Sequence, residues 1–465
     1  MSTIPATDTT GRALPPDFLL GVATAAYQIE GGASLGGRTP STWDVFSGVP
    51  GRIADGTSGE IAVDHFHRWP ADLALLSELG VDAYRFSLSW PRVQPHGSGP
   101  RSPDGIGFYD RLVDRLLAAG IRPFVSLYHW DLPLELMEHG GWLIRETAER
   151  FADYAELAAS ALGDRVAAWV TLDEPLLQMA YGHAVGIDAP GLTLLGGAFQ
   201  VTHHQLLAHG RAAQVLRSAT GSPVGIVNHH TTVDPASGSR ADIAAAACYQ
   251  AYHNRQFTDP LLRGSYPAEI LGMPGAADDV ISDGDLAVIS GPLDFYGVSF
   301  YHPTVVAAAH GNSSVPFSLE EMPGVPLTDS GWPVQPSSLR GLLMDLTAEY
   351  PSLPPLYVAA NGCAYQDVQD PGSGSADGSM ADDVGRIAYL NGHLAAVAEA
   401  VAAGCDVRGY FYWALLDGWE WAEGFTRNFG LVRVDPVTLD RHPRASFNHY
   451  RRIIRDHDGD SRTMR

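Results

Sequence analysis

Eight short runs of β-favouring apolar residues, at 18–23, 83–89, 123–129, 168–173, 224–228, 294–301, 356–360 and 409–415, recur along the chain. Between them, segments 71–79, 107–119, 145–162, 198–219 and 384–403 carry apolar residues at three- and four-residue spacing. That spacing buries one side of a helix against a sheet. Eight strands alternating with helices predict the α/β class and, within it, a single (β/α)8 TIM barrel. The 465 residues exceed the roughly 250 of a minimal barrel, and the excess is assigned to long βα loops rather than to a second domain. Segments 308–333 and 366–380 are rich in Pro, Ser and Gly, without a structural period, and predict such loops. Polar residues 1–16 and 457–465 predict disordered tails on either side of a barrel over 17–456.

Composition narrows the chemistry. A formal charge of −23 argues against nucleic acid and anionic membrane as partners. All 30 basic residues are arginine, which removes Schiff-base chemistry and the P-loop lysine. No G-x-G-x-x-G follows a strand, so no nucleotide cofactor is expected. No apolar run reaches the length of a membrane span, and the N-terminus lacks the charged and apolar regions of a secretory signal. Cys248, Cys363 and Cys405 are odd in number and show no C-x-x-C spacing, which suits a reduced, cytoplasmic protein. His203, His204 and His209 share one predicted helix, but no H-E-x-x-H pattern accompanies them, and no metal is expected. Gly32 to Gly36 matches the G-x-S-x-G pattern without the strand-to-helix turn that gives it meaning.

Catalytic side chains of a parallel barrel are mounted at the C-terminal ends of its strands. Here that end collects Gln28 and Glu30 after the first run, Arg85 on the second, His129 and Trp130 on the third, and Asp173 and Glu174 on the fourth. Asn228 follows on the fifth, Tyr301 on the sixth, Ala360 and Asn361 on the seventh, and Trp413, Glu420 and Trp421 on and after the eighth. Amides, carboxylates and an imidazole suit sugar hydroxyls, and flat indoles suit the apolar faces of the ring. Trp419 is expected to pack in the core.

With these residues in place the chain resembles the family 1 glycoside hydrolases, the β-glucosidase and β-galactosidase group, from about Phe18 to Tyr450. The motifs are Phe-Leu-Leu-Gly-Val-Ala-Thr-Ala-Ala-Tyr-Gln-Ile-Glu-Gly from Phe18, Tyr-Arg-Phe-Ser-Leu-Ser-Trp-Pro-Arg from Tyr84 and Tyr-His-Trp-Asp-Leu-Pro from Tyr128. Thr-Leu-Asp-Glu-Pro from Thr171 and Trp-Ala-Leu-Leu-Asp-Gly-Trp-Glu-Trp from Trp413 complete them. The resemblance implies that Glu174 is the general acid/base, that Gln28, His129, Glu420 and Trp421 bind the glycone hydroxyls, and that Trp413 is its platform. It also implies that Arg85, Asn228 and Tyr301 support the catalytic carboxylates. The implied substrate is a small neutral β-glycoside, with β-glucoside ahead of β-galactoside and β-fucoside, because Glu420 would repel a 6-phosphate.

The family's nucleophile lies in a Thr-Glu-Asn-Gly motif, and the matching residues here are Ala359, Ala360, Asn361 and Gly362. Retaining hydrolysis needs two carboxyl groups about 5–5.5 Å apart, and Ala360 supplies none. Asp173 stands where the family usually has Asn, at a position that faces the sugar 2-hydroxyl rather than the opposite face of the anomeric carbon. Ser299, Gly418 and Asp188 are further departures. A single substitution accounts for Ala360 alone, whereas divergence of the whole site accounts for all of them. Three functions follow from the resemblance: a nucleophile-deficient β-glycosidase, a relative using an external or substrate-borne nucleophile, and a silent carbohydrate-binding protein.

Overall fold

The computed structural model describes residues 14–276, 278–311, 315–366 and 383–463. Eight parallel strands close into a barrel: β1 Leu19–Thr24, β2 Ala83–Ser87, β3 Arg122–Tyr128, β4 Ala168–Asp173, β5 Val224–His230, β6 Phe295–Phe300, β7 Leu356–Asn361 and β8 Val407–Trp413. Each strand pairs with its neighbours in chain order and β1 closes on β8, where Leu19 to Ala23 lie beside Gly409 to Trp413. The strands are apolar almost without alternation because both faces are covered; every residue of β1, β2, β4, β5 and β6 is buried.

Two apolar layers result. The outer one packs strands against surrounding helices, including His65–Leu79, Pro103–Ala118, Glu146–Leu162, Phe199–Ala219 and Val384–Ala402. The inner one fills the barrel. At its N-terminal end Phe124, Phe295, Tyr357 and Phe411 meet with ring centroids 5.1–6.4 Å apart and plug it. Toward the other end the inner residues Ala23, Ala359, Ala360 and Ala364 are small, leaving room for polar groups.

Several elements differ from expectation. The first long helix starts at His65 and passes through Pro70, where proline reads as a break. Helices Arg240–Gln250 and Pro336–Glu349 were not evident; the first holds an unpatterned alanine run, rich in propensity but poor in period. Within 308–333, expected to be loop, Phe317–Glu320 pairs antiparallel with Thr304–Ala308, which pairs in turn with Val233–Pro235. Phe317 packs on Tyr249 with centroids 5.0 Å apart, so tertiary contact rather than local pattern fixes this strand. The final helix, Ala445–Thr463, continues past His457, where a tail was expected. Buried Phe447, Tyr450 and Ile454 anchor it, and each further residue then adds a hydrogen bond at little cost. Residues 1–13 and most of 366–380 lie outside the described residues. Among the described residues no helix is long and apolar enough to cross a membrane.

Candidate active site

A cavity of about 930 Å³ opens at the C-terminal end of the barrel, lined at its inner end by His129, Glu174, Tyr301, Trp413, Glu420 and Trp421, with Trp130 beside them. The ends of β3, β4, β6 and β8, or the loops after them, therefore contribute to one space, as the sequence placement required. Gln28 lies beneath, its Nε2 donating to Oε2 of Glu420 at 2.8 Å. The rings form a continuous wall: Trp421 lies 4.5 Å from Trp130 and 5.7 Å from His129, and His129 lies 5.8 Å from Trp413, centroid to centroid. Trp419 is fully buried against Trp43 and Tyr27 and takes no part in the lining.

Beneath this wall Arg85 spans the barrel interior. Its Nε donates to the carbonyl of Ala359 on β7 at 3.0 Å, and its Nη1 is ion-paired with Oδ1 of Asp173 on β4. Arg85 and Asp173 are both buried, and the second oxygen of Asp173 lies 3.4 Å from Nδ1 of His129. Arg85 is thus ion-paired with Asp173 rather than with Glu174. Although burial pushes the Asp173 carboxyl up, Arg85 and His129 prevail and hold it below its ordinary value. Glu174 has the opposite balance. Burial raises its carboxyl above the usual range; His129, the Ser299 hydroxyl and Arg85 pull it down, while Asp173 pushes it up. The two adjacent carboxyls are pushed in opposite directions, Asp173 toward its ionised form and Glu174 toward its protonated form, the direction a general acid needs. Burial also pushes Glu420 up to about 8 and Asp188, further out in the cavity, up to about 7.

Ala360 is fully buried, in the inner apolar cluster with Tyr301 and Trp413. The ladder of β7 against β6 shifts register between Val358 and Ala360, so that Ala360 comes level with Ser299. Such irregularities re-aim side chains at barrel rims. Asn361 is committed to structure: its amide donates to the carbonyl of Phe300 at 2.6 Å and to the Tyr389 hydroxyl at 3.0 Å, and its Oδ1 accepts from Tyr410 at 2.7 Å. At Gly362 a Cβ would strike the backbone carbonyl of Trp413, so this glycine lets the ends of β7 and β8 approach. Asn228 does not line the cavity; its amide donates to the Tyr296 hydroxyl at 2.8 Å, and its Oδ1 is buried without a partner. Glu30, expected at the same end, binds Arg92 and Tyr109 instead.

Backbone conformation adds what sequence did not show. Glu174, Trp130 and Trp421 have φ of 48°, 77° and 51°, in the left-handed region that costs a non-glycine residue about 1–3 kcal/mol. All three line the cavity. None carries a glycine or asparagine signal, because the strain is imposed by the site's own contacts: Trp130 is held by its Nε1 donating to the carbonyl of Asp173 at 2.8 Å. The three helix histidines are tied elsewhere, His203 to Asp285 and Tyr266, His204 to the Trp142 carbonyl, and His209 to Thr171.

Comparison with known proteins identifies the family. Residues 10–459 match the family described as Glycosyl hydrolase family 1. A β-glucosidase from an Agrobacterium species is 42% identical over 449 residues, covering 95% of each chain. A bifunctional β-D-glucosidase/β-D-fucosidase from Bifidobacterium breve is also 42% identical, covering 95% of this chain and 98% of its own. Among solved structures, the β-glucosidase of Exiguobacterium antarcticum superposes with a TM-score of 0.92 at 36% identity, over 96% of this chain and 99% of its own. With its closed eight-stranded barrel and near full-length match, the chain belongs to glycosyl hydrolase family 1.

Proposed function

We propose that the protein binds a small neutral β-glycoside, foremost a β-glucoside, that an external or substrate-borne nucleophile bonds to its anomeric carbon in place of a side chain, and that Glu174 protonates the departing oxygen as the glycosidic bond breaks. The observation that carries this reading is the meeting of a buried Glu174, its carboxyl raised by that burial, with His129, Glu420, Trp413 and Trp421 in one cavity. Gln28 and Glu420, clamped together, offer a donor and a carboxyl to ring hydroxyls. Trp413 and Trp421 offer apolar faces. Tyr301 and Arg85, assigned to the nucleophile side by the family resemblance, flank a position filled by a methyl group. Double displacement through a glycosyl-enzyme has no attacking atom there.

Titration calorimetry with methyl β-D-glucoside tests the binding half. Measurable affinity is expected, and Glu420→Ala is expected to weaken it by about 1–3 kcal/mol, the cost of leaving buried hydrogen-bonding groups without their partner. Absence of binding at high millimolar concentration would show that the family's glycone site has been remodelled.

A further inference from the structure

Asp173 holds more than a counter-ion needs. Arg85 takes its Oδ1, and its backbone carbonyl accepts from Nε1 of Trp130 at 2.8 Å. Its Oδ2 is buried and accepts no hydrogen bond among the described residues. Nδ1 of His129 lies 3.4 Å from that oxygen, beyond the roughly 2.7–3.2 Å of a well-formed bond. A buried acceptor left open in this way calls for a donor that the protein does not itself supply. A substrate hydroxyl is such a donor.

Alternation along a strand sends neighbouring side chains to opposite faces. Here it breaks: the ladder of β4 against β5 shifts register between Val170 and Asp173, and Glu174 turns in the left-handed region at φ 48°. Both carboxyls consequently feel the same two groups, Arg85 and His129, and Asp173 acts on Glu174 as well. Two neighbouring carboxyls match two neighbouring oxygens. With the glycosidic oxygen of a β-glucoside at Glu174, the 2-hydroxyl stands on the adjoining carbon, and the family resemblance sets position 173 against that hydroxyl. An asparagine there can hold the hydroxyl, whereas an ionised aspartate can also take its proton. In a β-glucoside the 2-hydroxyl is trans to the leaving oxygen, so O2 can reach C1 from the opposite face, and Ala360 puts no carboxylate in competition with it.

We propose that Asp173 is a general base that makes the substrate's own 2-hydroxyl the nucleophile. This rests on the reading that the glycone binds beside Glu174, and it selects the substrate-borne nucleophile over an external one. Oδ2 of Asp173 takes the 2-hydroxyl proton as O2 bonds to C1; the C1–O1 bond breaks, its electron pair leaves on O1, and O1 takes the proton of Glu174. The products are the aglycone alcohol and a 1,2-anhydro sugar. Water then bonds to C1 from the face that O1 left and gives one proton to Glu174, while the C1–O2 bond breaks and O2 recovers its proton from Asp173. Both carboxyls end as they began, and two inversions retain the configuration.

Three 4-nitrophenyl glycosides on the unaltered full chain test this: the β-D-glucoside, its 2-deoxy analogue, and the β-D-mannoside, whose 2-hydroxyl is cis to the leaving oxygen. Calorimetry first establishes that methyl β-D-glucoside binds. Release of 4-nitrophenol above the spontaneous rate is expected from the glucoside, with β-glucose as the first product by NMR. The other two are expected to have kcat at least about 100-fold lower, the smaller end of what a general base contributes. Asp173→Asn should lower kcat on the glucoside by about 10²–10⁴-fold and leave KM within a few-fold; if that variant does not fold, the three glycosides on the unaltered chain decide the matter by themselves. Catalysed release from the 2-deoxy glucoside as fast as from the glucoside, α-glucose as the first product, or no catalysed release from a glucoside that binds would each overturn the proposal and leave glycone binding standing. If methyl β-D-glucoside does not bind, the reading of the site fails and this proposal with it.

Discussion

Ala360→Glu combined with Asp173→Asn is expected to hydrolyse an aryl β-glucoside about 10⁴-fold faster than the chain as it stands, with retention of configuration. Loss of a residue that acts as nucleophile costs on the order of 10⁶-fold, about 8 kcal/mol of barrier. A re-introduced carboxylate displaced by about 1 Å forfeits roughly 10²-fold of that. Both substitutions are needed because of Arg85. Its guanidinium lies against the carbonyl of Ala359, one residue from position 360, but its charge is already met by Asp173. Ala360→Glu alone sets two carboxyls around one buried cation, and like charges in a low-dielectric site drive one of them to hold its proton. The single variant should therefore trail the double by at least about ten-fold. Equal rates in an aryl-glucoside assay would show that Asp173 does not compete for Arg85.

The same pair predicts a large effect on stability. Asp173→Asn in the otherwise unchanged chain leaves Arg85, 2% exposed, as a buried cation without a counter-charge. Removing one partner of a buried ion pair costs about 3–5 kcal/mol. Adding Ala360→Glu should return much of that, less about 1–3 kcal/mol for inserting a longer side chain into a packed interior. Denaturant midpoints of the four chains in the cycle measure it. A loss below about 1 kcal/mol for Asp173→Asn would mean that water or another carboxylate reaches Arg85. Because the loss appears without any substrate, it separates the electrostatic role of Asp173 from any role in chemistry.

The barrel was legible because both of its periods are strong. Eight continuous apolar runs and one-sided helices leave few other folds, and the predicted strands match the observed ones to within a few residues. Elements whose position depends on distant contacts were not legible: the strand Phe317–Glu320, fixed by Tyr249 and Thr304–Ala308, and the continuation of the last helix beyond His457. At the site, residue types at strand ends were enough to place Glu174, His129, Trp413, Glu420 and Trp421 together. The partner of Arg85 was not deducible, since on a strand Asp173 and Glu174 could have pointed either way. Asn228 and Asn361 illustrate the same limit: a polar residue at a strand end faces the ligand or satisfies the scaffold, and only the partners Tyr296 and Tyr389 decide it.

The absence of a protein nucleophile is tested most directly by intact-protein mass spectrometry after exposure to 2,4-dinitrophenyl 2-deoxy-2-fluoro-β-D-glucoside, which traps a glycosyl-enzyme wherever a carboxylate attacks the anomeric carbon. The chain as it stands should keep its mass under conditions where methyl β-D-glucoside binds, and the Ala360→Glu, Asp173→Asn chain should gain one fluoroglucosyl group. A stoichiometric adduct on the unaltered chain, at Asp173 or any other carboxylate, would contradict the reading of Ala360 as a vacant nucleophile position.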